Sequence, residues 1–304
     1  MTHAPIRLGV LASKLGHALG DQIAEQLKPF LGSVPVQIVP VEASAERAAG
    51  HRPHWPGEAL ERALLKGEID LAIQNAKDLP PEIAPGLAIA AVTERLTPFD
   101  VLIARDETIM DELPEGAALS AHSSLRRAQL LRYRDDFKLM DLPGSLDERI
   151  RMLDSGRVDG IVVSAAAVEH LGFQDRVTEI FTTEVLVPAA GQGTCVLEVK
   201  EGAKELLRIA KHLDHPMARS EIDAERAFLR EMKADPSTAI GALASTDGSS
   251  LRLEGIVVDR EGRTHVRGVE EGDMGDEVEL GERLAQRLVS EGARRVLADA
   301  SSEH

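Results

Sequence analysis

Cysteine is almost absent from this chain: Cys195 is the single one in 304 residues. One thiol excludes an internal disulfide, and the ten histidines are too scattered to form a Cys/His cluster with zinc spacing. Aromatic residues make up 3% of the sequence, so the cores must be built from Leu, Ile, Val and Ala. No apolar run approaches the ~18 residues that read as a membrane span, and residues 1–10 carry no basic-then-apolar leader. Basic residues are outnumbered too, 35 against 51 acidic, for a net charge of −16. Such a field repels polyanions, which argues against nucleic acid or an anionic membrane as partner. It also opposes a carboxylate-bearing ligand unless positive charge is gathered in a cleft. The composition therefore leads us to expect a soluble, cytoplasmic protein of two or three domains that holds no metal, and a monomer is the default expectation.

What is present alternates. Residues 6–12 are short and apolar, and Leu19, Ile23 and Leu27 follow at helical spacing. Residues 34–41 are β-rich, Leu60, Leu64 and Leu65 mark a second helix, and residues 69–73 a further strand. This alternation predicts a parallel α/β sheet. The pattern also echoes itself. Gly67-Glu68-Ile69-Asp70 enters an apolar run after Leu60 and Leu64, and Gly156-Arg157-Val158-Asp159 does so after Leu146, Ile150 and Leu153. Two similar α/β domains facing across a cleft would produce the echo, as would the helix–glycine–strand punctuation of any α/β protein. After Gln192 the pattern changes. Ile222, Ala224, Phe228 and Met232 predict a helix after Pro216, and residues 239–244, 251–258 and 265–269 predict strands. Asp247-Gly248 and Glu261-Gly262 supply hairpin turns. Leu280, Leu284 and Leu288 predict a further helix, residues 270–276 an exposed loop, and residues 295–298 a last strand.

Several constellations could carry chemistry. Asp78 stands beside Lys77 where an apolar strand stops, and a carboxylate on so rigid a post can be aimed into a crevice. Ser123-Ser124-Leu125-Arg126-Arg127 offers hydroxyls and free N–H groups at a helix start to an anion. Its adjacent arginines point different ways, so one can bind carboxylates while the other pairs elsewhere; a capped surface helix with solvated arginines is the plain alternative. Arg149 and Arg176 are further candidates, each more simply read as a surface arginine. Pro188-Ala189-Ala190-Gly191-Gln192-Gly193 is a small-residue crossing, either a hinge or close-approach segment or an ordinary interdomain turn. Cys195, in a largely apolar run, reads as a buried small residue rather than a reactive thiol. His17, His54, Trp55 and His122 form no base–nucleophile arrangement, and the histidines are expected to face solvent.

Taken in order, these segments resemble the porphobilinogen deaminase (hydroxymethylbilane synthase) family over essentially the whole chain. Residues 7–19 resemble its first strand and turn, residues 58–80 its helix and aspartate strand, and Glu94-Arg95 before Pro98 and Asp100 its crossing into a second domain. Ser123-Ser124-Leu125-Arg126-Arg127 matches a family block residue for residue, and residues 188–193 match its return crossing. Ala224-Glu225-Arg226-Ala227 followed by Ile240-Gly241 matches the opening of its third domain. The resemblance implies two periplasmic-binding-protein-like (type II) α/β domains, residues 1–95 with 190–213 and residues 96–189, then an α+β domain over residues 214–304. It implies an enzyme that couples four pyrroles onto a dipyrromethane primer held as a thioether by a third-domain cysteine. It further implies Asp78 as the catalytic carboxylate steering protons and stabilising azafulvenium-like cations. Ser13, Lys77, Ser123, Ser124, Arg126, Arg127, Arg149, Arg176 and Gln192 are implied as substrate- or carboxylate-binding residues.

The departures from the family fall together. Its Gly-Gly-Cys is Ala234-Asp235-Pro236 here; Pro236 has no nucleophile, and the neighbouring Ser237 is a poor one. Leu11 and Pro143 stand in place of arginines, Arg52-Pro53-His54-Trp55-Pro56 in place of a Gly-Lys-Gly loop, and Gln74-Asn75 in place of His-Ser. We therefore expect no dipyrromethane cofactor, and a smaller anionic or pyrrolic ligand near Asp78. A synthase with a non-standard primer and a non-catalytic precursor-binding protein are the alternatives.

Overall fold

The computed structural model describes residues 4–43 and 55–299; His54 and the start of its loop lie outside these residues. The first sheet contains β1 (Ile6–Leu11), β2 (Val36–Val41), β3 (Leu71–Asn75) and β4 (Leu87–Val92). It is flanked by α1 (Lys14–Leu31) and α2 (Glu58–Lys66). The second sheet holds β5 (Asp100–Ala104), β6 (Ala118–Ser120), β7 (Lys138–Met140), β8 (Gly160–Ser164) and β9 (Glu179–Ile180). Its helices are α3 (Ser124–Tyr133), α4 (Leu146–Asp154) and α5 (Ala165–His170). The chain then returns to the first sheet as β10 (Cys195–Lys200), followed by α6 (Lys204–Ala210).

The two sheets have matching strand orders, β2-β1-β3-β10-β4 and β7-β6-β8-β5-β9. The fold is mixed α/β, with two five-stranded sheets of equivalent topology. The repeated glycine punctuation falls on equivalent strands: α2 closes on Gly67 and runs into β3, while the turn at Gly156 after α4 leads to β8. Both glycines take positive φ, 74° and 78°, which is why this residue recurs there. The expectation of a parallel sheet needs correcting. β1 pairs parallel with β2 and β3, but β10 is antiparallel to β3 and β4, and β5 is antiparallel to β8 and β9. These reversed strands adjoin the crossings: β5 follows the outward passage to the second sheet, and β10 the return.

The apolar spacing of α1 buries Leu19, Ile23 and Leu27 against β1 and β3 residues, as their helical period requires. Leu60 and Leu64 of α2 are fully buried, whereas Leu65 is exposed.

The third layer set begins with α7 (Pro216–Met232), whose first residue is the expected proline. A three-stranded antiparallel sheet follows: β11 (Ile240–Thr246), β12 (Ser250–Val258) and β13 (His265–Asp273). Then come α8 (Glu277–Ser290) and α9 (Ala293–Asp299). Phe228 of α7 and Leu280, Leu284 and Leu288 of α8 share one core with Leu251, Leu253 and Val257 of β12. Two expectations fail here. Residues 270–273 are not loop but the end of β13, paired with residues 250–253, because an edge strand can keep acidic side chains on its wet face while its backbone is satisfied. Residues 295–298 are helical, because Ala293 and Val296 are both buried at a three-residue spacing, with Leu297 packed alongside.

Candidate functional site

Asp78 is delivered by a tight turn. β3 ends at Asn75 and a 3-10 turn, Ala76–Asp78, breaks the strand. The Gly57 N–H donates to the Asp78 carbonyl at 2.9 Å, and a Cβ on Gly57 would lie 2.8 Å from that oxygen. From the return crossing, Gly191 (φ 80°) packs so closely that a Cβ would meet Ala76 C at 2.6 Å and Lys77 N at 2.7 Å. Glycine at these positions lets two backbones grip the turn. The Asp78 carboxylate accepts from Asn75 Nδ2 at 3.1 Å and has no ion-pair partner among the described residues.

Gln192, fully buried, knots the crossings to this turn. Its Oε1 accepts from Lys77 Nζ (3.2 Å) and Arg126 Nη2 (3.1 Å), and its Nε2 donates to the Pro98 carbonyl (2.8 Å) and Asp100 Oδ1 (2.9 Å). Lys77 also donates to Ser164 Oγ at 3.2 Å. Burial, with the Arg126 charge adding to it, pulls the Lys77 ammonium below its ordinary pKa.

Of the neighbouring arginines, Arg126 is committed to the protein: Nε and Nη2 reach Asp100 Oδ1 at 3.0 and 2.8 Å. Arg127 points elsewhere, to the carbonyls of Ala121 and Leu139 and to Asp141. Ser123 caps α3 by accepting from Arg126 N at 3.1 Å, and Ser124 opens the helix, so its first turn walls the cleft. Arg149, on α4, is different. It is half-buried, makes no ion pair among the described residues, and its Nε is buried without a hydrogen-bond partner. Burial and then the Arg126 charge push its pKa down, and its own charge adds to the burial that lowers His122. An arginine so placed lacks an anion.

A cavity of about 450 Å³ joins several of these groups. Lys77, Asp78, Ser123, Ser124, Arg126 and Gln192 line one side; residues 234–236 of the loop after α7 line another, with Trp55 and the exposed His122 at the wall. The loop is held rigidly. Asp235 Oδ1 accepts from Ser237 N (2.7 Å) and Ser237 Oγ (2.5 Å), and Thr238 Oγ1 donates to the Asp235 carbonyl (2.6 Å). Four candidates are not among the cavity's lining residues: Arg127, Arg149, Ser13 and Arg176. Ser13 spends its hydroxyl capping α1 by accepting from Gly16 N, and Arg176 pairs with Asp154 at 2.5 Å in a separate surface hollow. Residue-level reading missed two groups: Asp100, the buried anchor of Arg126, and Asp235 in the cavity wall.

Matches to known families agree with this assembly. The family described as porphobilinogen deaminase, dipyromethane cofactor binding domain, matches residues 6–208, and its C-terminal domain matches residues 220–290. This chain belongs to the porphobilinogen deaminase family. The porphobilinogen deaminase of Pelotomaculum thermopropionicum is 36% identical over 98% of this chain and 97% of its own length. That of Roseiflexus castenholzii is 39% identical over 96% of this chain and 98% of its own, and that of Thermus thermophilus 35% over 96% and 97%. Among solved structures, the VFT2 domain of Bordetella pertussis BvgS aligns at TM-score 0.43 and 16% identity, covering 68% of this chain and 84% of its own.

The nucleophiles within reach of the cleft are few. Pro236 lines the cavity without a nucleophilic atom, and Ser237 Oγ is engaged with Asp235. Cys195 begins β10 behind the cleft, its Sγ 4.0 Å from Asn75 Oδ1, and burial pushes its thiol up to about 12. That bears out the reading of Cys195 as a buried small residue. Among the described residues no cluster of His, Cys, Asp or Glu could hold a metal ion, and no helix is long and apolar enough to cross a membrane.

Proposed function

We propose that this porphobilinogen deaminase family member holds no thioether-linked dipyrromethane and instead binds a smaller anionic, pyrrolic ligand reversibly in the Asp78 cleft. The observation that carries the reading is Pro236, which faces the cavity where a tethering thiol would have to stand. The residues present do not fit the covalent group. Ser237 is a weak nucleophile whose hydroxyl already donates to a carboxylate, and Cys195 stays a thiol at neutral pH behind the cavity wall.

What survives is a binding site. A cavity of about 450 Å³ suits a ligand of one or two rings. The first turn of α3 favours carboxylates, as does Arg149 close to Arg126, and Asp78 lines the same cavity with the Asn75 amide as its hydrogen-bond donor. There Asp78 stabilises positive charge on the bound pyrrole. A second reading, a synthase with a non-standard primer, draws on Asp78 and the Ser123–Arg127 block, which resemble the family's aspartate strand and its serine–arginine block.

Isothermal titration with porphobilinogen, followed by dialysis and chromatography, separates the two. Our reading predicts saturable binding, complete recovery of unchanged ligand, and binding weakened about tenfold or more in Asp78→Asn. Accumulation of a linear tetrapyrrole during the titration, abolished in Asp78→Asn, would establish the synthase instead.

A further inference from the structure

The cavity brings together charges of both signs that the protein does not fully compensate. At the α3 end the positive groups outnumber their partners. Arg126 is neutralised by Asp100, but Arg149 behind it has no ion pair among the described residues and keeps a buried Nε without an acceptor. Two carboxylates line the cavity as well, with Lys77 the cation that acts on Asp78. Asp78 accepts a single hydrogen bond, from the neutral Asn75 amide. Asp235 uses Oδ1 for the Ser237 backbone and hydroxyl, and no described residue donates to its Oδ2 or pairs with its charge. Both carboxylates line the same cavity, and Asp235 is set there by the rigid turn over residues 235–238.

We infer that Asp235 is a specificity-determining residue that takes up the ammonium group of a ligand carrying a primary amine at one end and carboxylate at the other. The inference rests on the reversible-binding reading above and deepens it. A carboxylate fixed on the wall attracts an ammonium and repels a second carboxylate, so it selects on the sign of the group that approaches it. A chain of carboxylated pyrroles would bring acidic side groups to this wall, whereas a single aminomethyl pyrrole brings a cation. Asp78, which lines the same cavity, is left to face the ring. The anchoring also fits a selective role: Oδ1 builds the turn and Oδ2 stays free, so the charge is oriented without being spent on the protein.

Two probes differing only at the amine test this: porphobilinogen, and the same dicarboxylic pyrrole with hydroxymethyl in place of aminomethyl. Calorimetric titration of the parent is expected to favour the amine about tenfold. In Asp235→Asn, which keeps an Oδ1 acceptor for the turn, that preference should collapse to within about twofold while affinity for the hydroxymethyl probe holds. A melting temperature equal to the parent's establishes that the loop is intact. Equal affinities in the parent, an undiminished preference in Asp235→Asn, or binding of neither probe would each overturn the inference. Failure of the underlying reading is distinguishable, because it shows as a covalent adduct or a tetrapyrrole product whichever probe is preferred.

Discussion

Arg126 and Arg149 are both arginines beside one anion site, yet their environments assign them different work. Arg126 is one half of a buried pair whose other half, Asp100, is 2% exposed. Removing it strands a carboxylate, so Arg126→Ala is expected to lower unfolding stability by roughly 3–5 kcal/mol. Any loss of ligand affinity in that variant is then inseparable from loss of structure. Arg149 has no partner to strand. Arg149→Gln should leave the melting temperature unchanged or slightly raised, while a dicarboxylic pyrrole binds about tenfold more weakly. Paired thermal melts and titrations check both; a destabilised Arg149→Gln, or one that binds as well as the parent, would contradict the assignment. The Ser123–Arg127 block was legible in the sequence as a capped helix start with arginines diverging. The identity of Arg126's partner was not, because Asp100 lies in another element, and the pair forms only once β5 and α3 are brought together.

At the scale of elements, the Asp78 turn is held from behind by polar contacts between strands and helices. Gln74 of β3 donates to Glu198 of β10 at 2.5 Å, and Arg226 of α7 donates to the carbonyls of Pro80 and Pro81 just after the turn, at 2.9 Å each. Burial, reinforced by the nearby Glu61 charge, raises the Glu198 carboxyl from 4.5 to about 8. The folded protein therefore holds a proton there that the unfolded chain releases between those values. The stability this contributes is fully present below about 4.5 and is lost as pH rises through about 8. The melting temperature of the parent should fall over that interval, and Glu198→Gln, which cannot ionise, should flatten the fall. Parallel pH profiles of parent and variant would contradict this. Most elements were legible because their apolar periods are long: α1, α7 and α8 each carry several spaced hydrophobic residues. α9 was not, because Val296 and Leu297 alone suit a strand as well as a helix, and only burial of Ala293 and Val296 on one face decides.

For the whole molecule, the third layer set grips the hinge between the sheets. Arg95, on the outward crossing, donates to the Gln192 carbonyl of the return crossing at 3.0 Å and to Glu225 of α7 at 2.6 Å. Glu225 in turn accepts from Gly191 N and from Ala244 N of β11. Both crossings are thus fastened to α7, whose following loop carries Asp235 and Pro236 into the cavity. The sequence signal for this loop was a substitution against the family pattern rather than a motif, since neither Ala234 nor Pro236 has chemistry of its own to announce. Residues 234–236 line the same cavity as Asp78. Electrospray mass of the intact, freshly purified protein, taken before and after acid treatment and alongside Ehrlich's reagent, tests the central claim most directly. The account predicts the bare polypeptide mass in both spectra and no colour; a mass increment equal to two linked pyrroles, retained through acid, would contradict it.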